Sequence, residues 1–364
     1  MEWFTAPDYW LTRLVFQRAL AVVYLVAFLT AALQFRALIG ARGMLPVPRF
    51  TANVPFKRAP SLFQLHYSDR FFAGCAWAGC AVAAALLAGV DAMLPLWAGM
   101  LLWLLPWLLY LSIVNVGQTW YSFGWESLLL EVGFVAVLLG NDEVAPPVVV
   151  VFLLRWILFR VEFGAGLIKL RGDACWRKLT CLDYHHETQP MPGPLSWFFH
   201  RLPRPLHRVE VAANHVTQLV VPVLLFTPQP VATAAAALMI VTQLWLVLSG
   251  NFSWLNWITI VLALSAIRFP ADPPSVPAAP ALVRGRGAGR GRADRVPQLP
   301  PGRQHGLPPP GHEPLLRPAP PGQHLRRLRQ RQPGPLRGGR RGHRRRRAPR
   351  GLRLAGVRVQ GQAG

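Results

Sequence analysis

Acidic residues are scarce in this chain, 16 Asp and Glu against 39 Lys and Arg, and charged residues of both signs make up only 15 % of its 364 positions. Chemical signatures are missing too. There is no HExxH, no GxSxG and no GxxxxGK[ST], so hydrolase and nucleotide-binding readings have no specific motif to rest on. Cysteine is sparse, with four in all. Cys75 and Cys80 lie inside an apolar run, where small packing residues are the default reading. Cys175 and Cys181 have a spacing that matches no structural zinc site. They read as two free thiols, with a disulfide open to them only in an extracytoplasmic loop.

What the chain has in abundance is apolar residue in long runs. A helix needs about 20 such residues to cross a bilayer, and about eight runs qualify, at 13–38, 70–90, 93–116, 125–140, 147–170, 211–227, 230–249 and 253–268. The expected fold is all-α, a multi-pass transmembrane bundle of about eight spans. The first run is too long for a signal peptide and lacks a small-residue cleavage site, so it is expected to be the anchor itself.

The formal charge of +23 is not spread evenly. Residues 1–268 hold 18 basic and 13 acidic residues, a net +5, and residues 269–364 hold 21 and 3, a net +18. The tail's basic residues are all Arg, and it contains no Lys, Trp, Tyr, Ile, Met, Cys, Asn or Thr. The expected division is a polytopic membrane domain over 1–268 and a disordered, Arg/Pro/Gly-rich tail over 269–364. This composition reads as GC-rich DNA translated out of frame; the alternative is a genuine Arg-rich arm, and neither could bury a core. No nucleic-acid partner is expected; the bilayer is.

Ionisable residues inside the runs are few. The fifth reads VVVVFLLRWILFRVEFGAGLIKL, in which Arg155, Glu162 and Lys169 recur every seven residues and return to nearly the same helix face. Such a stripe is costly against lipid and is expected to face the bundle, paired with Glu126 and Glu131 of the fourth run. It serves either as an ion-pair network fixing helix register or as part of a wet cavity. Gly164 and Gly166 would let a neighbouring helix approach.

The connection CWRKLTCLDYHHETQPMPGPLSW, Cys175 to Trp197, interrupts the apolar pattern. His185, His186 and Glu187 are adjacent and so point in different directions, which disfavours a metal site; they are expected to hydrogen-bond the loop backbone. Pro190, Pro192 and Pro194 hold the chain extended and remove backbone donors. LSWFFHRLP then restarts as an amphipathic turn suited to the membrane interface. Trp176, His185, His186, Glu187, Gln189, Pro190 and Trp197 are the candidate recognition residues, with no catalytic residue, metal or cofactor expected. Asn251 in GNFS forms a sequon, but the short turn between runs favours a structural role. By charge count alone the connection lies in the cytoplasm.

WLTRLVFQRALAVVYLVAFL, YLSIVNVGQTWYSFGWESLLLEVGF, RWILFRVEFGAGLIKLRGDACWRKLTCLDYHHETQPMPGP and LSGNFSWLNW together resemble the lipase maturation factor family, over most of residues 8–268. The resemblance implies an endoplasmic reticulum membrane protein that helps dimeric secreted lipases fold and assemble, acting as a chaperone rather than a catalyst. It also implies a cytosolic amino terminus, which places the 171–210 loop on the opposite side from the charge count. Family members continue with one more span and a strand-rich soluble domain, and nothing after Ile267 resembles either. GC-rich coding suggests a bacterial source, in which case the plasma membrane replaces the reticulum. A weaker likeness links the bundle to vitamin-K-dependent carboxylase-type transmembrane domains, the membrane-enzyme or lipid-handling alternative, without a matching catalytic motif.

Overall fold

The computed structural model describes residues 4–269, so the expectations for the tail lie outside the described residues. Within them the fold is helical, and each of the eight apolar runs carries one helix of ten or more residues. We label these α1 (Trp10–Leu38), α2 (Asp69–Ala88), α3 (Leu96–Val116), α4 (Gly124–Val137), α5 (Val148–Arg171), α6 (Arg204–Leu219), α7 (Val231–Ser249) and α8 (Leu255–Leu264). Five segments are long and apolar enough to cross a membrane: Pro7–Leu38, Asp69–Ala88, Leu96–Val116, Arg204–Phe226 and Val231–Ser249. The protein is therefore an integral, multi-pass membrane protein, but the count of eight spans does not carry over.

The three remaining helices depart from the expectation for separate reasons. α5 has ample length at 24 residues, but Arg155, Arg160, Glu162 and Lys169 break its apolar surface. α4 has 14 residues and α8 only 10, and at 1.5 Å per residue they reach about 21 and 15 Å, short of a hydrocarbon core of about 30 Å. α8 is short because it is interior: Ile258 to Ala263 are all buried, and it packs against α1, α4, α5 and α7.

α1 and α2 form the most extensive helix pair. Phe16, Leu20, Tyr24, Phe28, Ala31 and Phe35 recur at helical spacing along the buried face of α1. Gly79 of α2 lets the backbones close. A Cβ there would lie 2.3 Å from the Phe28 ring, and Phe28 is itself held edge-on by Tyr110 at 5.4 Å between centroids. Away from the candidate site, buried charges are matched locally: Asp91 accepts from Arg18 at 2.8 Å and from the Trp103 indole at 3.0 Å.

α6 is inverted relative to a helix in water. Its buried residues include His207, Asn214, Thr217 and Gln218, whereas Leu206, Val209, Val216 and the adjoining Val220 are exposed. In a bilayer the apolar face meets lipid and the polar face must find partners inside. The helix also begins at Arg204, ahead of the apolar run at 211, because its first two turns carry polar residues on that inner face.

Gly79→Ala is expected to lower bundle stability by about 1–3 kcal/mol, the usual cost of overpacking a filled core. Gly74→Ala on the same helix, where a Cβ would have nothing within 4 Å, should be neutral. Thermal unfolding midpoints of the two variants in one detergent decide the comparison.

Candidate functional site

α5 is drawn close to α6 at Gly166, where a Cβ would lie 2.7 Å from Leu219 and 3.1 Å from Gln218; Gly164 has nothing within 4 Å and plays no such part. The approach places two members of the stripe within reach of amide side chains. Lys169 Nζ donates to Asn214 Oδ1 at 2.6 Å and to Gln218 Oε1 at 2.9 Å. Gln218 Nε2 in turn donates to Glu162 Oε2 at 3.2 Å, and Gln243 Nε2 of α7 donates to Glu162 Oε1 at 2.6 Å. An amide thus bridges the cation and the carboxylate. Glu162 is 1 % exposed, and its two oxygens each receive a donor.

The expected partners are not these. Glu126 accepts from Tyr110 and from Trp125 Nε1, because α4 packs on α3 and presents it there. Glu131 pairs with Arg160, which lies on a different face of α5 from the stripe. Arg155 points away from Glu162 and donates to Tyr9 Oη at 2.5 Å and to the Leu225 carbonyl at 3.2 Å. The predicted five-residue network is therefore divided among four places: Glu126, Glu131 and Arg155 each have partners of their own, and only Glu162 and Lys169 share a site.

That site is a cavity of about 480 Å³ bounded by α5, α6, α7, α8 and the connection after α5. Val161, Ala165, Val209, Val241 and Leu246 supply apolar wall, and Glu162, Lys169, Asn214, Gln218, Gln243 and Asn256 supply the polar part. Trp176, His185, His186 and Gln189 of the connection line it too. The sequence-predicted loop residues thus divide into two groups. These four face inward; Glu187, Pro190 and Trp197 are exposed.

Several local devices set the loop in place. Asp173 caps the short helix Ala174–Arg177 by accepting from Cys175 N at 3.0 Å, and Trp176 then lies over Lys169, whose Nζ is 5.2 Å from the ring centroid. Cys175 and Cys181 form a disulfide, with Cα atoms 4.7 Å apart. The expectation of two free thiols is corrected, since the turn between them brings the two residues to bonding distance. Beyond the prolines, Ser196 Oγ accepts from Gly193 N at 2.9 Å and donates to the Ser249 carbonyl at 2.8 Å. Gln189 Oε1 accepts from Asn251 N at 3.4 Å, and Asn251 Oδ1 accepts from Ser253 N at 3.3 Å, so the sequon asparagine shapes a turn. The loop is pinned to the end of α7.

His186 is 3 % exposed and packs near Phe199 and His207, at 6.1 and 6.0 Å between ring centroids. Its ring nitrogens make no hydrogen bond of ordinary geometry among the described residues, contrary to the expected loop-backbone bonding. Burial, then the neighbouring His185 and His207, push its pKa down to about 4; the Ser249 backbone opposes this, and His200 adds a smaller push in the same downward direction. His185 is also lowered, by burial and by Lys169. Glu187 instead reaches His200 at 3.4 Å. Outside, Trp197 is 55 % exposed and carries Arg201 3.7 Å above its ring centroid. Among the described residues, no three His, Cys, Asp or Glu are grouped so as to hold a metal.

Asn214, Gln218, Gln243 and Asn256 were not singled out from sequence. The usable signal was the 4-3-4 spacing of His207, Val211, Asn214 and Gln218 along the buried face of α6, together with a lone amide, Gln243, in the middle of an apolar helix.

Two outcomes follow for this site. Glu162→Leu is expected to cost about 3–5 kcal/mol, because it strands Lys169 and two amide donors in a dry interior; Glu162→Gln should cost less, and thermal midpoints in detergent measure both. The second concerns pH. An unfolded histidine binds its proton near pH 6.5, whereas His186 binds one only near 4 in the fold. Between those values the unfolded chain holds more protons, so stability is full above about pH 6.5 and falls on acidification toward 4. His186→Phe should flatten that fall in midpoints recorded from pH 7 to 4.5.

Residues 11–269 match the family model described as the lipase maturation factor transmembrane domain. Lipase maturation factor 1 of Bos taurus is 44 % identical over 282 residues, covering 71 % of this chain and 49 % of its own length. The Homo sapiens protein of that name is 39 % identical over 300 residues, covering 74 % and 51 %. Lipase maturation factor 2 of Xenopus tropicalis is 34 % identical over 274 residues, covering 71 % and 39 %. No solved structure matches. The chain thus spans about half the length, or less, of these relatives. The match runs the length of the described helical bundle, through the charged stripe and the proline loop alike, and on that ground the chain belongs to the lipase maturation factor family.

Proposed function

We propose that this chain is the membrane-embedded part of a lipase maturation factor and assists the folding and assembly of secreted lipases without catalysing a reaction on them. The observation that carries the reading is the continuous family match over residues 11–269 to proteins named for lipase maturation.

The client-facing part is the outer side of the 171–210 loop. Glu187, Pro190 and Trp197 are exposed there beside Phe198, which is 59 % exposed. Their backbone is pinned by prolines and by Ser196, so binding carries a small ordering cost. The loop lies on the extracytoplasmic side. The Cys175–Cys181 disulfide supports this orientation, since such bonds persist in oxidising compartments. It agrees with the sidedness implied by the family resemblance and departs from the charge count. The membrane is that of the endoplasmic reticulum, or the plasma membrane in a bacterial cell.

Coexpression with a dimeric secreted lipase, in cells lacking their own maturation factor, tests the reading through secreted lipase activity at equal levels of the membrane protein. Trp197→Ala is expected to lower that activity about tenfold or more, as loss of an exposed aromatic anchor does. Trp176→Ala should also lower it, through release of Lys169 and His185. Cys175→Ala with Cys181→Ala should be milder. Full loss in the cysteine pair with normal activity in both tryptophan variants would replace recognition with thiol chemistry.

A further inference from the structure

The exposed apolar members of the cavity lining, Leu206 and Val209 on α6 and Val241 and Trp245 on α7, mark its mouth. Val209 is 61 % and Val241 63 % exposed. Both helices are membrane-crossing segments, so the mouth opens sideways into lipid. Trp245 Nε1 donates to Glu210 Oε1 at 2.7 Å across this gap, and Thr242 Oγ1 donates to Thr217 Oγ1 at 3.4 Å between the same helices.

Inside, the electrostatics select against charge. The Lys169 cation is matched by the Glu162 carboxylate through Gln218, and two of its donors are engaged by Asn214 and Gln218 while Trp176 covers it. An anionic headgroup would meet the carboxylate of Glu162 and, at the mouth, that of Glu210, and a cationic one would meet Lys169, in a low-dielectric interior. Of the polar atoms on lining residues that have no partner among the described residues, Glu210 Oε2 and both ring nitrogens of His186 belong to the mouth and the loop, and the pair on α7 and α8 is Gln243 Oε1, an acceptor, and Asn256 Nδ2, a donor. These residues are 5 % and 4 % exposed, and unpaired polar atoms at such depth are costly. They call for a group that both donates and accepts. The volume of about 480 Å³ falls within the range of roughly 300–1,000 Å³ of small-molecule sites.

We propose that this cavity binds a neutral, hydroxyl-bearing single-chain lipid of the monoacylglycerol class, entering from the bilayer between α6 and α7. A glycerol hydroxyl donates to Gln243 Oε1, the ester carbonyl accepts from Asn256 Nδ2, and the acyl chain lies along Val161, Ala165, Val209 and Val241 toward the mouth. The assignment goes beyond the chaperone reading and stands whether or not the chain serves a lipase.

The test uses the full chain in phosphatidylcholine nanodiscs with a monoacylglycerol carrying a diazirine on its acyl chain, photolysed and mapped by mass spectrometry. The expected result is saturable labelling confined to peptides of α5, α6 and α7, competed by unlabelled 1-oleoylglycerol but not by oleate or by oleoyl lysophosphatidate at the same concentration. Ala165→Phe should abolish labelling by filling the space. Asn256→Leu should weaken competition by about three- to tenfold, the value of one buried hydrogen bond. Labelling that never saturates and spreads over all lipid-facing helices would mean that only water or bulk lipid occupies the cavity, and the proposal falls. Equal competition by oleate overturns the neutral-head assignment, and unchanged labelling of a folded Ala165→Phe protein overturns the location. If that variant does not fold, the saturation and competition data on the unmodified chain decide alone.

Discussion

The arrangement on which the rest depends is the chain Lys169–Gln218–Glu162–Gln243. A carboxylate and an ammonium placed within an apolar bundle lose the water that would otherwise stabilise them, and no lipid replaces it. Amide side chains do so here. That requirement turns the polar face of α6 inward, draws it onto α5 at Gly166, and fixes α7 so that Gln243 reaches Glu162. It also explains the covering residue: Trp176 occupies the side of Lys169 that the amides leave open. The cavity is the space left when three helices meet around these groups without their apolar side chains closing over them.

The connection after α5 has an inner side belonging to that cavity and an outer side belonging to the aqueous boundary. One stretch does both because it alternates buried and exposed positions over a few residues: Cys181, Leu182, His186 and Ser196 are buried, and Glu187, Pro190 and Trp197 are not. The Ser196 hydroxyl ties the stretch to the last turn of α7, and His215 ties the Trp176 carbonyl to α6 at 3.1 Å. The loop is therefore tied at two points to the helices that frame the mouth of the cavity.

Much of this was legible in the sequence, and the pattern of misses is physical. Apolar run length located all eight helices, since burial and bilayer contact both demand apolar surface. It did not tell which helices cross, because α8 owes its composition to neighbours and not to lipid. The seven-residue recurrence placed Glu162 and Lys169 on one face, yet periodicity fixes a direction and never a neighbour, so Glu126 and Glu131 were assigned to the wrong contacts. α6 was read from its apolar half, with the span beginning at 211; its informative half was the polar one. The loop was recognisable by composition, but the Cys175–Cys181 bond and the burial of His186 depend on a fold of that loop that spacing alone does not specify.

The interior position of α8 bears on how the molecule is made. Thr12, near the start of α1, donates to the carbonyl of Ile267 at 2.6 Å, and α1 packs on α8. During synthesis α1 is translated well before α8, the helix that completes its packing. Until then α1, α4 and α5 border an unfilled slot, and contacts so distant in sequence form late. Closure of the packing around α1 therefore waits on α8, the shortest of the eight labelled helices.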